Sequence, residues 1–576
     1  MNIWITKTPA QIDDASEHSQ LKKNLTAVDL AALGIGSVVG TGIFVATGQG
    51  AQLAGPGVLL SFIIAAVTCG FCALTYSELA CMFPVAGSTY SYSYVAFGEV
   101  IAWIIGWDLM LEYLVAASAV ASGWSTTFIG LIQSAGVKLP KAILTPPITT
   151  NAAGKIVLSG GVVDVPAIVI TLLITWILYI GIKESAKINN VIVGVKIAVI
   201  LLFVFLGIRH VSLANLQPLM PFGWKGVMAG AAIIFFAYIG FDAVSTTAEE
   251  TKNPKRDLPI GIIASLVICT VLYIVVAGIL AGIMPVAQYR TSAAALPGVP
   301  IVPLAESTAF LNAPVAYALH VIGLDWSAFL ISAGAVAGIT SVLLVMLMGQ
   351  PRIFFSMSRD RLLPAAVSKV HPRFGTPYVT TIITGAVVAF FAAIVPINVV
   401  GEMTSIGTLF AFVVVCSAVM TLRVKRPDAH RPFRVPFGFL FPTLGVVSCL
   451  YLMLSLSAAT WVRFLVWLDV GMMIYWFYGR THSPLADRAE QAAQGGLERA
   501  GNFVTLLGAL GLFNGLFMTV LGYMTEFGIT TEALTKWHEI HVTPEQADSV
   551  GLGVLAVGAV LFLVGRLLAR SGRKPA

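Results

Sequence analysis

The chain has 576 residues, 57% of them hydrophobic and only 11% charged, with a mean hydropathy of +0.88. A soluble globular domain carries about a quarter charged residues, so that class is excluded. The apolar residues come in blocks of about 20, the length that crosses a hydrocarbon core of about 30 Å as a helix. The net charge of +6 is therefore no nucleic-acid footprint; its meaning lies in which side of a membrane each charge occupies.

The first 32 residues are polar, with Gln11-Ile12-Asp13-Asp14 and Lys22-Lys23, and the first apolar block begins near Ala31. Residues 1–32 read as a cytoplasmic tail without a cleavable leader, and span 1 as an uncleaved insertion signal. Fourteen spans are expected, at roughly 33–53, 57–80, 90–130, 164–182, 187–209, 226–247, 260–284, 327–356, 378–397, 402–422, 437–458, 461–478, 502–524 and 549–569. The third is too long for one perpendicular crossing and implies a membrane-skimming entry segment or a steep tilt. With the N-terminus inside, most of the 34 Lys and Arg residues fall on inward segments, so both ends are expected in the cytoplasm. Two outward loops are long, about 131–163 and 285–326, and a third, 525–548, joins the last two spans. Residues 33–422 would hold ten spans, 436–478 spans 11 and 12, 479–501 a charged, alanine-rich cytoplasmic linker, 502–569 two extra spans and 570–576 a cytoplasmic tail.

Span 1 reads Gly34-Ile35-Gly36-Ser37-Val38-Val39-Gly40-Thr41-Gly42-Ile43-Phe44, four glycines in nine residues. Each weakens a helix by about 1 kcal/mol relative to alanine. Two readings fit. Small residues spaced by four let helices pack closely. Alternatively the helix unwinds at Gly40-Thr41-Gly42, where freed N–H groups hold a carboxylate and freed C=O groups an ammonium. Span 6 reads Phe235-Phe236-Ala237-Tyr238-Ile239-Gly240-Phe241-Asp242-Ala243, an aromatic cluster around one glycine, followed by an acid. A stacked aromatic core is the plainer reading of Phe236 and Tyr238. Yet spans 1 and 6 open two five-span halves, and interruptions at matching positions point to a binding site near the bilayer midplane.

These motifs resemble the amino acid–polyamine–organocation superfamily, and within it the bacterial branch of the cationic amino acid transporter family. The matching residues are Gly40-Thr41-Gly42-Ile43-Phe44, Ser77-Glu78-Leu79, and Pro84-x-Ala86-Gly87-Ser88-x-Tyr90. Phe236-Ala237-Tyr238-Ile239-Gly240-Phe241-Asp242 and the loop Glu249-Glu250-Thr251-Lys252-Asn253-Pro254-Lys255-Arg256-Asp257-Leu258-Pro259 follow. Gly349-Gln350-Pro351-Arg352 and Met357-Ser358-Arg359-Asp360 complete a match over about residues 25–480. The resemblance implies an all-α integral membrane protein with a leucine-transporter-like 5+5 inverted repeat and discontinuous spans 1 and 6, here with additional C-terminal spans. It also implies secondary transport of an L-amino acid, with no cofactor beyond a proton gradient. The carboxylate would meet Thr41 and Gly42 beside Gly40. The α-amino group would meet carbonyls near Val38 and around Phe236, Ala237 and Ile239, with Phe236 as a gating aromatic. Tyr238 and Ile339 are expected as further walls.

Lys196 lies about ten residues past Lys187, about 15 Å of helical rise and roughly mid-bilayer. Snorkelling to the interface is the plainer reading, but the reach is marginal at that depth. In proton-coupled relatives a lysine in span 5 stands where sodium-coupled cousins hold a cation, which makes Lys196 the expected proton-coupling group. Asp108 and Glu112 share one face of span 3, four residues apart. They read either as lining a solvated vestibule or as functional acids, and Glu112 as a reader of the substrate side chain. Glu78 and Asp242 are expected to brace the inner ends of spans 2 and 6, with contact to the site as the alternative for Asp242. Cys69-x-x-Cys72 and His538-Glu539-Ile540-His541 lack the companions or spacing of a metal or redox centre.

The expected partners are an L-amino acid, protons and membrane lipids, with no nucleic acid. The chain is expected to act as a monomer, with room for a small membrane partner. Small neutral amino acids suit the glycine-rich, apolar site. An arginine, lysine or polyamine exchanger is the alternative within transport, and a nutrient sensor the alternative outside it. Neither a membrane enzyme nor a channel is favoured: no nucleophile–base pair, phosphate loop or repeated filter stands out.

Overall fold

A computed structural model describes residues 6–8, 21, 23–134, 136–137, 139–150, 156–288, 303–394, 397–456, 458–483, 496–526 and 544–571. The His538–His541 stretch, most of the tail and much of the 479–501 linker lie outside them. Among the described residues, nine stretches are helices long and apolar enough to cross a membrane, and three shorter apolar helices accompany them. Each of the fourteen segments expected from the sequence includes helix among the described residues. Side chains such as Trp176, Val191, Val267 and Phe390 stand exposed on the outer faces, as a hydrocarbon solvent requires.

The chain forms two units. The larger runs over Thr6–Met357 and Ala365–Met453. It begins with α1 (Ala27–Val38), a π-helical turn (Gly42–Ala46), α2 (Thr47–Ala54) and α3 (Val58–Met82). Helix α1 starts six residues before the expected span because Thr26 and Asp29 form a capping box, Thr26 Oγ1 donating to Asp29 Oδ2 at 2.7 Å. The long third span is broken rather than only tilted. Short α4 (Thr89–Ala96) ends at Gly98, where φ is +103°, and α5 (Glu99–Ser134) continues from there. Then follow α6 (Val165–Ile180), α7 (Ile182–Gly207), α8 (Gly223–Ile234), a 3-10 turn (Phe235–Tyr238), α9 (Ala243–Thr246) and α10 (Pro254–Ile283). Helices α11 (Leu304–Asn312), α12 (Pro314–Val321), α13 (Asp325–Arg359), α14 (Tyr378–Ile394), α15 (Ile397–Lys425) and α16 (Leu440–Met453) complete the series. The all-α expectation needs one amendment. The loop before α6 carries a two-stranded antiparallel hairpin, β1 (Ile148–Thr150) with β2 (Ile156–Leu158). Within this unit α10 packs on α3 and α1, α15 on α5 and α16, and α14 on α6.

One end of the larger unit is tied by charges. Glu78 on α3 receives Arg423 Nη2 at 2.5 Å, Arg423 Nε at 3.1 Å and the Val435 N–H at 2.7 Å. Arg431 Nε stands 3.3 Å from the same carboxylate. At the loop after α9, Arg352 on α13 pairs with Glu250 at 3.1 Å, both fully enclosed. The segment before α1 crosses this loop, with the N–H groups of Asn24 and Leu25 donating to the Glu250 carbonyl at 2.8 and 3.0 Å.

The six cysteines are free, buried thiols. Cys449 Sγ lies 3.5 Å from Cys72 Sγ, and Cys416 Sγ lies 3.3 Å from Thr75 Oγ1.

The smaller unit, Ser358–Pro364 with Leu454–Ala576, holds α17 (Ala458–Ile474), a π-turn (Tyr475–Gly479), α18 (Arg480–His482), α19 (Gly496–Glu526) and α20 (Pro544–Ser571). Helices α19 and α20 meet backbone to backbone: a Cβ built on Gly508 would stand 2.1 Å from the amide nitrogen of Phe562. Asn514 Nδ2 donates to Asp469 Oδ2 at 2.6 Å, joining α19 to α17.

Removing one member of a buried ion cluster strands its partners, at a cost of about 3–5 kcal/mol. Glu78→Ala is therefore expected to lower the melting temperature of the detergent-solubilised protein by several degrees, and Glu78→Gln by less. Equal melting of Glu78→Ala and the parent would show the cluster to be dispensable.

Candidate functional site

Helix α1 ends at Val38 because Val39 is extended (φ −79°, ψ 100°), and the chain turns helical again at Thr41. The glycines on either side of Thr41 pack as well as bend. A Cβ on Gly40 would stand 2.3 Å from Val342 Cγ2, and one on Gly42 2.5 Å from the Cα of Ala237. The interruptions of α1–α2 and of α8–α9 are therefore in direct contact. In the second, Ile239 is extended (φ −62°, ψ 136°) and Gly240 adopts φ +119°, a conformation open to glycine. Of the two readings of the span 1 glycines, close packing holds, and the helix is interrupted as well, at Val39–Gly40 rather than over Gly40-Thr41-Gly42.

Interrupted backbone in an apolar interior must find other partners. Lys196 on α7 supplies them for α1. Its Nζ donates to the carbonyls of Ile35, Gly36 and Val39 at 2.8, 2.9 and 2.8 Å and approaches Ser341 Oγ at 2.8 Å. Three of these oxygens belong to the end of α1, where orphaned carbonyls give the helix its partial negative charge. The side chain is fully buried and does not snorkel. Ser341 on α13 also reaches the Gly36 carbonyl at 2.9 Å, so α1, α7 and α13 meet at one ammonium.

Tyr273 on α10 does the same for the facing edges. Its hydroxyl lies 2.6 Å from the Val38 carbonyl and 3.0 Å from that of Ala237, one on each interruption. Ser37 donates to the Gly240 carbonyl at 2.8 Å. Asp242 accepts the Gly240 N–H at 3.1 Å on one oxygen and the Tyr113 hydroxyl at 3.1 Å on the other. Asp242 thus braces the interruption to α5.

The expected site residues separate into two groups. Val38, Gly40, Thr41, Gly42, Phe236, Ala237 and Ile239 lie on the two touching interruptions. Phe236 is partly exposed while Phe235, Ala237 and Tyr238 are buried, so it alone of the four lines accessible space. Ile339 on α13 is buried next to Gly338, which packs against Phe44 and the Lys196 stem. Tyr238 turns the other way. Its hydroxyl donates to the Phe62 carbonyl at 3.2 Å, and its ring sits 6.3 Å from Phe62 and 5.3 Å from Tyr273. For Tyr238 the aromatic-core reading is the one the geometry fits. Glu112 also departs from the interruptions: it is buried against α15, at Gly407 and Thr408. Sequence reasoning missed Tyr273, Ser341 and Tyr113. A tyrosine within an apolar span is itself a signal, because its hydroxyl needs a buried acceptor.

Half-helix ends at two touching interruptions, bridged by the Tyr273 hydroxyl, can accept a zwitterion without burying a further net charge. A family model for amino acid permeases matches residues 25–478. The chain is 47% identical to the branched-chain amino acid permease of Bacillus subtilis, over 82% of this chain and 96% of that protein. It is 45% identical to the methylthioribose transporter of the same organism, over 84% and 100%. To the vacuolar cationic amino acid transporter 4 of Arabidopsis thaliana it is 30% identical, over 81% and 93%. The chain belongs to the amino acid permease family, a multi-pass membrane transport family of the amino acid–polyamine–organocation superfamily.

Proposed function

We propose that this permease is a proton-coupled symporter of neutral L-amino acids in the cell membrane, with both termini in the cytoplasm. It works by alternating access on a 5+5 inverted repeat, residues 33–422. Residues 436–478 supply spans 11 and 12, and 502–569 two further spans, fourteen in all. The observation that carries the reading is the position of Lys196 Nζ on the Ile35, Gly36 and Val39 carbonyls. A protonated amine has three N–H donors for these acceptors. A neutral amine has two, and the carbonyls cannot donate in return. Loss of the proton therefore takes one N–H bond from the end of α1, whose Ile35 and Gly36 carbonyls also receive the Val39 N–H and the Ser341 hydroxyl, and α1 carries half of the substrate site. Protonation and the shape of the site are thereby linked without a metal or other cofactor.

The substrate carboxylate would take the first N–H groups of the turn beginning at Thr41 and Gly42. Its ammonium would share the Val38 and Ala237 carbonyls with Tyr273 and lie near the Phe236 and Ile239 backbone. Phe236 closes over it. The side-chain space is apolar. Lys196 and Asp242 are engaged, and Glu112 lies towards α15, so a cationic side chain finds no free carboxylate at the interruptions. The chain is also 34% identical to the branched-chain amino acid permease of Lactococcus lactis, a name that favours neutral substrates. The name of the second Bacillus relative favours one other reading, transport of a methylthioribose-like solute.

Lys196→Met in proteoliposomes is expected to bind substrate yet lose accumulation driven by an acid-outside gradient, while replacing sodium by choline leaves the parent unaffected. Sodium-dependent uptake, or normal gradient-driven accumulation by Lys196→Met, would overturn the coupling. Tyr273→Phe removes one hydroxyl from two carbonyls and is expected to raise KM up to about tenfold, the scale of a lost net hydrogen bond; an unchanged KM would place Tyr273 outside the site's function. Labelled alanine uptake should be inhibited by excess valine or leucine and weakly by arginine or methylthioribose. Strong inhibition by arginine that disappears in Glu112→Gln would make the substrate cationic and Glu112 its reader.

A further inference from the structure

Asp108 on α5 is the least satisfied ionisable group among the described residues. It is fully buried, and neither carboxylate oxygen has a hydrogen-bond partner. Gly407 on α15 brings a backbone directly against it: a Cβ there would stand 2.9 Å from Asp108 Oδ1. Among the described residues the surroundings offer no cation. On its own helix stand Glu112, one turn away with Oε2 also unpartnered, and Tyr113, whose hydroxyl is given to Asp242 of the α8–α9 interruption. From α3, Tyr76 bonds to Thr89 of α4, and the tyrosines of α4 complete that side. Helix α15 carries no charged residue between Met403 and Leu422; its Cys416 faces Thr75, and Arg423 beyond is held by Glu78. Helices α6 and α14 present only Tyr179 and Tyr378, and Arg352 of α13 is held by Glu250.

An ionised carboxylate with no donor and no counter-charge does not persist in such a place; it takes up a proton instead. We propose that Asp108 is a second proton-binding site of the transport cycle, occupied while α5 and α15 are in contact and emptied to water when they part. The Lys196 proton and the Asp108 proton then travel with each amino acid. The site has a link to the substrate. Asp108 lies one turn from Glu112 and Tyr113, and Tyr113 holds Asp242, which accepts the Gly240 N–H of the interruption. This inference rests on the proton-symport reading above.

The test is steady-state accumulation of labelled alanine or valine in proteoliposomes at a series of pH gradients, with the membrane potential clamped at zero. Two protons per substrate make accumulation follow the square of the proton gradient, so a tenfold gradient gives about 100-fold accumulation against about tenfold for one proton. The wild type is expected to follow the square and Asp108→Asn the first power. Infrared spectra of the purified protein are expected to hold a protonated-carboxyl band that Asp108→Asn lacks, a readout needing no transport. A first-power law in the wild type that vanishes in Lys196→Met would keep the Lys196 reading and overturn this one. So would a square law retained in Asp108→Asn. Unchanged infrared spectra in Asp108→Asn, or sodium-dependent accumulation lost in Asp108→Asn, would overturn it as well, the latter assigning the site to a metal cation. No response of the wild type to the gradient would remove proton symport altogether.

Discussion

Backbone that leaves the helix inside a membrane protein must have its N–H and C=O groups satisfied by something other than water. In this chain that requirement falls on the carbonyls of Ile35, Gly36, Val38 and Val39 and on those of Ala237 and Gly240. Lys196, Tyr273 and Ser37 meet it, and each comes from a different segment or crosses to the opposite interruption. The rest of the larger unit follows from this arrangement. Glycine at 42 lets the two interruptions touch, glycine at 40 admits Val342 of α13, and Asp242 ties the second interruption to α5 through Tyr113. Helix α13 is drawn in by Ser341, which shares the Gly36 carbonyl with Lys196.

The far end of the same unit uses full charges where the interruptions use partial ones. Glu78 gathers Arg423, Arg431 and a backbone N–H; Glu250 holds Arg352; Glu249 accepts the Ala86 N–H at 2.8 Å. Ser245 and Ser88 join α9 to the turn before α4 at 2.6 Å. Buried pairs of this kind add little net stability against an apolar alternative, because desolvation offsets attraction, but breaking one is costly. They therefore favour discrete arrangements over gradual deformation.

Much of this was legible in the sequence. Hydropathy located the helical segments, and the glycines at 34, 36, 40 and 42 with the single glycine at 240 marked the interruptions. The depth of Lys196 made its reach to the interface marginal. What stayed hidden depends on which way a side chain faces. Glu112 and Tyr113 are neighbours in sequence, but about 100° of helical turn separates them, so Tyr113 reaches Asp242 while Glu112 meets α15. Tyr238 sits inside the interruption motif, yet its ring joins Phe62 and Tyr273. Tyr273 serves carbonyls more than 200 and about 35 residues away, a pairing with no local spacing. The break at Gly98 was seen as excess length without its place, because the flanking Ala96-Phe97 and Glu99-Val100 carry no strong stop signal.

The central claim is that a proton moves with the amino acid. Its most direct test is the external pH of lightly buffered proteoliposomes, with a matched potassium clamp, recorded as unlabelled alanine or valine is added. The account expects an immediate alkalinisation that scales with uptake and is absent in Lys196→Met. A flat pH trace alongside measurable uptake of the same amino acid would contradict it.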